Sequence, residues 1–93
     1  MKAIWNNTVI AESDDTVVVD GYHYFPLAAL VMAHFRPASQ TTVCSWKGTA
    51  NYYDVVVNGE TNPGAAWCYA EPRDAAAAVR GRVGFWRGIK VTG

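Results

Sequence analysis

Cys44-Ser45-Trp46-Lys47-Gly48 places a thiol, an indole and an amine within five positions at a strand-to-turn junction. A cysteine becomes a nucleophile when a base or a cation stabilises its thiolate, and Lys47 supplies such a charge. The same residues also read as a thiol packed like a small apolar group, an indole capping a core and a solvated amine. Tyr52, Tyr53, Trp67 and Tyr69 gather aromatic rings in the next hairpin. Period-two alternation puts Trp67 and Tyr69 on one strand face and Cys68 on the other, and sends Tyr52 and Tyr53 to opposite faces. One set of rings can therefore build a core while another lines a pocket. His23 is a general acid–base candidate by its pKa range, or a hydrogen-bonded sheet histidine. Glu71, just before Pro72, is a ligand contact or a helix-start carboxylate. Asp14 and Asp15 read as turn residues. Arg82, Arg87 and Lys90 form a small basic area at the C-terminal end, where a solvated edge is the ordinary reading.

No metal or cofactor is expected. Two cysteines 24 positions apart and two histidines, with no C-x-x-C pair, lack the short spacing of a zinc site. Neither a pair of converging carboxylates nor a Gly-rich phosphate cradle ahead of a helix is legible.

The elements that would position these groups are mostly strands. Asn6-Asn7, Asp14-Asp15 and Asp20-Gly21 punctuate the first 25 residues as a β-meander. A two-residue turn at Asp20-Gly21 sets Val19 opposite Tyr22, Val18 opposite His23 and Val17 opposite Tyr24. Pro26 then opens a helix whose buried stripe is Leu27, Leu30, Val31, His34 and Phe35, and Pro37 stops it. A loop over 38–40 and a short strand over 41–44 follow. A strand over 50–57 leads into Asn58-Gly59, the clearest hairpin signal in the chain. Asn62-Pro63-Gly64 interrupts pairing before a strand over 65–70. A second helix begins near Pro72, runs through the alanines at 75–78 and closes at Gly81. Strands over 82–86 and through Ile89 and Val91 finish the chain.

Ninety-three residues predict a single domain over 1–93. Hydrophobic residues at 51% and charged residues at 17% exclude a disordered chain. Eight basic residues cancel eight acidic ones, which excludes the positive field of a general nucleic-acid binder. The longest apolar run, Leu27 to Ala33, is too short to span a membrane. Asn6 and Asn7 interrupt any secretory core, so a cytoplasmic location with reduced thiols is expected. The outward side of the first helix, Ala28, Ala29, Met32 and Ala33, is apolar where a surface helix should be polar. That predicts a homodimer contact.

Trp5-Asn6-Asn7-Thr8-Val9-Ile10-Ala11, His23-Tyr24-Phe25-Pro26, Cys44 to Ala50, Ala65-Ala66-Trp67, Glu71-Pro72 and Gly81 to Trp86 occur in this order. Together they resemble domain-of-unknown-function family 427, small single-domain proteins of bacteria and fungi that also carry a nucleotidyltransferase-like label. The resemblance spans nearly the whole chain. It implies a mainly β fold, a single compact tent-like or irregular barrel of short antiparallel strands, here with two short helices. It implies no established activity, and the carboxylates do not support nucleotidyl transfer. The chain departs from the family pattern at Ser45, where proline is usual, at Cys68, where tyrosine is usual, and at Ala70, where proline is usual. The expected ligand-binding set is Cys44, Trp46, Lys47, Tyr53, Trp67, Glu71 and His23, with Trp46 and Trp67 as pocket walls. The expected function is a small-molecule binding module or small enzyme. The alternative is a protein-interaction module without chemistry.

Overall fold

The computed structural model describes all residues, 1–93. Nine strands form two open antiparallel sheets: β1 (Lys2–Trp5), β2 (Thr8–Glu12), β3 (Val17–Val19), β4 (Tyr22–Pro26), β5 (Phe35–Cys44), β6 (Gly48–Val57), β7 (Glu60–Cys68), β8 (Arg82–Phe85) and β9 (Lys90–Thr92). The smaller sheet has the order β2-β1-β9 and the larger β3-β4-β8-β7-β6-β5. The mainly β, antiparallel architecture is as expected, but neither sheet closes on itself, so there is no barrel. The accessible surface is 5099 Å², close to the roughly 5,300 Å² that size scaling gives a folded monomer of this mass.

Left-handed turn residues fix the hairpins. Asn6 and Asn7 (φ 52° and 60°), Asp20 and Gly21 (53° and 82°), and Asn58 and Gly59 (52° and 78°) each place two positive φ values in succession. That is the geometry whose twist matches the flanking strands. The β3–β4 register is Val17 to Tyr24, Val18 to His23 and Val19 to Tyr22, as the turn dictates.

Neither expected helix is an α-helix. Leu27–Ala29 and Met32–His34 are single 3₁₀ turns without a side-chain cap, and Asp74–Val79 is a kinked 3₁₀ segment. In the first segment the backbone finds partners outside itself. Leu30 bridges to Ala11, the Val31 N–H donates to the Ile10 carbonyl at 2.8 Å, and His34 Nδ1 lies 3.0 Å from the Val56 carbonyl. A short uncapped segment gains more from such bonds than from a costly helix nucleus. Pro37 does not end a helix. It lies within β5, an edge strand, the place in a sheet where proline is tolerated.

The expected break at Asn62-Pro63-Gly64 is a bulge. Between the pairs Tyr53–Ala66 and Val55–Asn62, β7 spends four steps on two of β6. Gly64, at φ 61°, donates its N–H to the Asp54 carboxylate at 2.8 Å. On the other side of β6, β5 also spends four steps on two, between Pro37–Tyr53 and Thr41–Asn51.

The larger sheet is apolar on both faces, and alternation sorts its side chains. Phe25, Val55, Val57, Ala66, Val83 and Phe85 pack towards the smaller sheet, against Ala3, Ile10 and Ala11. Tyr24, Ala50, Trp67 and Tyr69 face the other way and are covered by Ala76 and Val79 of the last 3₁₀ segment.

Candidate functional site

The second face of the larger sheet carries an open cleft of about 150 Å³, lined by Tyr22, Lys47, Tyr52, Trp67, Tyr69 and Trp86. Non-local strand order assembles it. Tyr22 opens β4, Tyr52 lies on β6, Trp67 on β7, and Tyr69 and Trp86 stand just past the ends of β7 and β8. Lys47 comes from the turn between β5 and β6.

The rings are held by their polar ends. The Trp67 indole N–H donates to the Tyr24 hydroxyl at 3.2 Å inside the core. The ring lies over Gly84, its cross-strand partner, where a Cβ would stand 2.7 Å from Cζ2. Trp86 donates its indole N–H to the Gly64 carbonyl at 2.7 Å, so the β7 bulge fixes this wall. The Arg87 guanidinium carbon sits 4.7 Å from the centroid of a Trp86 ring. Tyr52 and Thr42 share a hydroxyl hydrogen bond of 2.9 Å. Tyr22 and Trp86 each meet Trp67 edge to face, with centroids 5.1 and 5.6 Å apart. Such pairs add about 0.5–1.5 kcal/mol each beyond area burial.

Lys47 is the one charged residue of the lining. Its side chain is 10% exposed, and its ammonium pairs at 2.7 Å with the Asp20 carboxylate, whose side chain is 52% exposed. Nζ also lies 5.1 Å from the Trp46 ring centroid and 5.9 Å from that of Tyr69. Burial pulls the Lys47 pKa down, but the hydrogen bond to Asp20 and the nearby phenols of Tyr24 and Tyr69 reverse this and raise it above the ordinary value. The amine is therefore a cation rather than a free nucleophile at neutral pH. Burial raises the Tyr69 phenol, and the Lys47 charge opposes part of that.

The structure brings Lys47 and Trp67 together at the cleft and places the other expected residues around or away from it. Trp46 is 39% exposed and stands outside the lining. Cys44 is half-buried and packs against the outer aromatic cluster. The backbone N–H groups of Lys47 and then Trp46 hold its thiol pKa below the ordinary value. Glu71 is exposed, and its main chain packs against Gly48. His23 is half-buried, with Nδ1 3.4 Å from the Thr16 hydroxyl. Tyr53 faces the main core beside Phe35, where burial raises its pKa. Tyr22, Tyr52, Tyr69 and Trp86 complete the lining but were not in the expected set. The parity shared by Trp67 and Tyr69 was the available signal for one of them.

No three His, Cys, Asp or Glu side chains converge. The carboxylates that would hold Mg²⁺ for nucleotidyl transfer are dispersed. Asp15, for one, is engaged with the Arg82 guanidinium at 3.2 Å. No helix is long and apolar enough to cross a membrane. A family model described as "Domain of unknown function (DUF427)" matches residues 1–92. None of the curated proteins matches the chain.

Proposed function

On the premise that the chain belongs to domain-of-unknown-function family 427, we propose that it is a small-molecule binding module whose ligand carries one planar ring. The observation that carries this reading is the convergence of five aromatic rings and one buried cation on a single cleft. Mostly apolar concavities with a few placed polar groups are the usual form of ligand sites. Volume sets the size. A cavity of about 150 Å³ admits benzene, so the cleft suits one six-membered ring with a small substituent. Ten non-hydrogen atoms at about 0.5 kcal/mol each give about 5 kcal/mol, a Kd near 0.2 mM.

The test is titration with benzamide, followed by the four indole N–H resonances. Saturable shifts confined to Trp67 and Trp86, and weakened by Tyr52→Ala, are the expected result. Shifts at all four indoles alike, or at none, would remove the reading.

A second reading, a homodimer, draws support from the exposed apolar segment 27–33. Leu27, Val31 and Met32 are 44%, 45% and 52% exposed, and Ala28 and Ala33 are exposed beside them, while Ala29 is half-buried against the core. We also propose a reducing, cytoplasmic setting. The two unpaired thiols, Cys44 and Cys68, support it.

A further inference from the structure

Resting on the reading of the cleft as a ring-binding site, we infer that the cognate ligand is an aryl carboxylate, and that its carboxylate takes Lys47 over from Asp20. An ammonium has three donors and needs acceptors when buried. Lys47 has Asp20 as its hydrogen-bonding partner, and its other near neighbours are the ring faces of Trp46 and Tyr69. Donor capacity is thus left over in a side chain nine-tenths buried that also lines the cleft.

The pair is lopsided. Lys47 is anchored in the turn whose backbone carbonyl accepts the Arg73 N–H at 2.9 Å. Asp20 stands on an exposed hairpin tip with its carboxylate half in water. Exchanging one carboxylate for another keeps the buried cation paired, and Asp20 gains the rest of its hydration. A neutral ring gains nothing from Lys47 beyond a dipole. A cationic ring meets a like charge at the wall, so the aromatic lining does not serve as a cation cage here. Asp20 is an intramolecular competitor that keeps Lys47 neutralised while the cleft is empty. Removing the competitor should strengthen binding of the anion alone.

The experiment compares benzoate with benzamide, equal in ring size and shape, on wild type, Asp20→Asn and Lys47→Met. Calorimetry and indole shifts are the readouts. Wild type should prefer benzoate. Asp20→Asn should tighten benzoate about tenfold and change benzamide less than twofold. Lys47→Met should abolish the preference, so that benzoate binds no more tightly than benzamide. If Lys47→Met does not fold, Asp20→Asn carries the test alone. Benzamide binding with no gain for benzoate in Asp20→Asn overturns this inference and leaves the ring-binding reading standing. Failure of both probes on folded wild type overturns the ring-binding reading and this inference with it.

Discussion

Gly84→Ala sets two physical effects against each other in one methyl group. Gly84 lies in β8 without a left-handed φ, so its backbone accepts any residue. Chain entropy alone favours alanine there by about 0.5–1 kcal/mol. Sterics oppose it. The new Cβ would stand 2.7 Å from Trp67 Cζ2 and 2.8 Å from Cε2. The indole has little freedom to retreat, with its N–H bonded to Tyr24 and its faces and edges against Tyr22 and Trp86. Overpacking of this kind costs about 1–3 kcal/mol. If the ring tilts enough to break the buried hydrogen bond, about 1–3 kcal/mol more is lost. Net of the entropy gain, the loss is about 0–2.5 kcal/mol if the bond survives and about 1–5.5 kcal/mol if it breaks, and a contact of 2.7 Å to a pinned ring favours the second case. A chain of this length has a total stability of about 5–14 kcal/mol, and each kcal/mol moves Tm by about 4–8 °C. Thermal unfolding followed by circular dichroism should show a fall of at least 5 °C, with a displaced Trp67 indole resonance. A Tm equal to or above that of wild type, with the Trp67 resonance unmoved, would refute the packing argument and leave entropy as the winner.

Three further outcomes follow from the same geometry. The raised Lys47 pKa means that the folded state holds this proton more tightly than the unfolded one. Its stabilisation is complete below the ordinary value of 10.5 and is lost as pH rises through the folded value; Lys47→Met should flatten stability against pH in that alkaline window and change its slope little near neutrality. Cys44 should alkylate in the native protein well before Cys68, and at a pH below the ordinary thiol value of 9.0, because backbone N–H groups lower the first thiol while burial raises the second. Peptide mass spectrometry reads both, and equal rates would contradict the assignment. Met32→Glu should convert a dimer to a monomer in analytical ultracentrifugation and lower Tm by the association lost. A wild type that is monomeric at high concentration would leave Leu27 to Ala33 as ordinary surface.

Local chemistry was legible in the sequence where two adjacent residues decide the outcome. Asp20-Gly21 and Asn58-Gly59 set their hairpins residue for residue, and parity placed Trp67 with Tyr69 on one face. The first helix misled because its apolar spacing also suits a segment held by β2 and β6, and spacing cannot report the carbonyls of Ile10 and Val56. The bulges opposite β6 were hidden for a similar reason. Pro63 and Gly64 signal a disturbance, but only Asp54 across the sheet makes it a bulge rather than a break. Lys47 and Trp67 were found by type. Tyr22, Tyr52 and Trp86 join them only because β4, β8, β7 and β6 lie side by side in that order, a non-local fact. Trp46 was expected in the wall because it adjoins Lys47 in sequence. Successive side chains in a turn diverge, and the exposed Trp46 ring stands outside the lining, 5.1 Å from the Lys47 Nζ.

The β5 bulge has a consequence for aggregation. β5 is the longest exposed edge in the molecule, and from Pro37 to Cys44 it holds no charge to repel a neighbouring chain. An unbroken run of this kind is a template for cross-β stacking, which needs about six or seven uninterrupted residues. Pro37 and the extra residues before Thr41 cut the regular pairing into Phe35–Pro37 and Thr41–Cys44. Each piece is too short to seed a fibril, and the irregularity that bends the sheet also serves as its gatekeeper. Shortening the bulge to straighten β5 would lengthen the ladder and expose the chain to fibre formation.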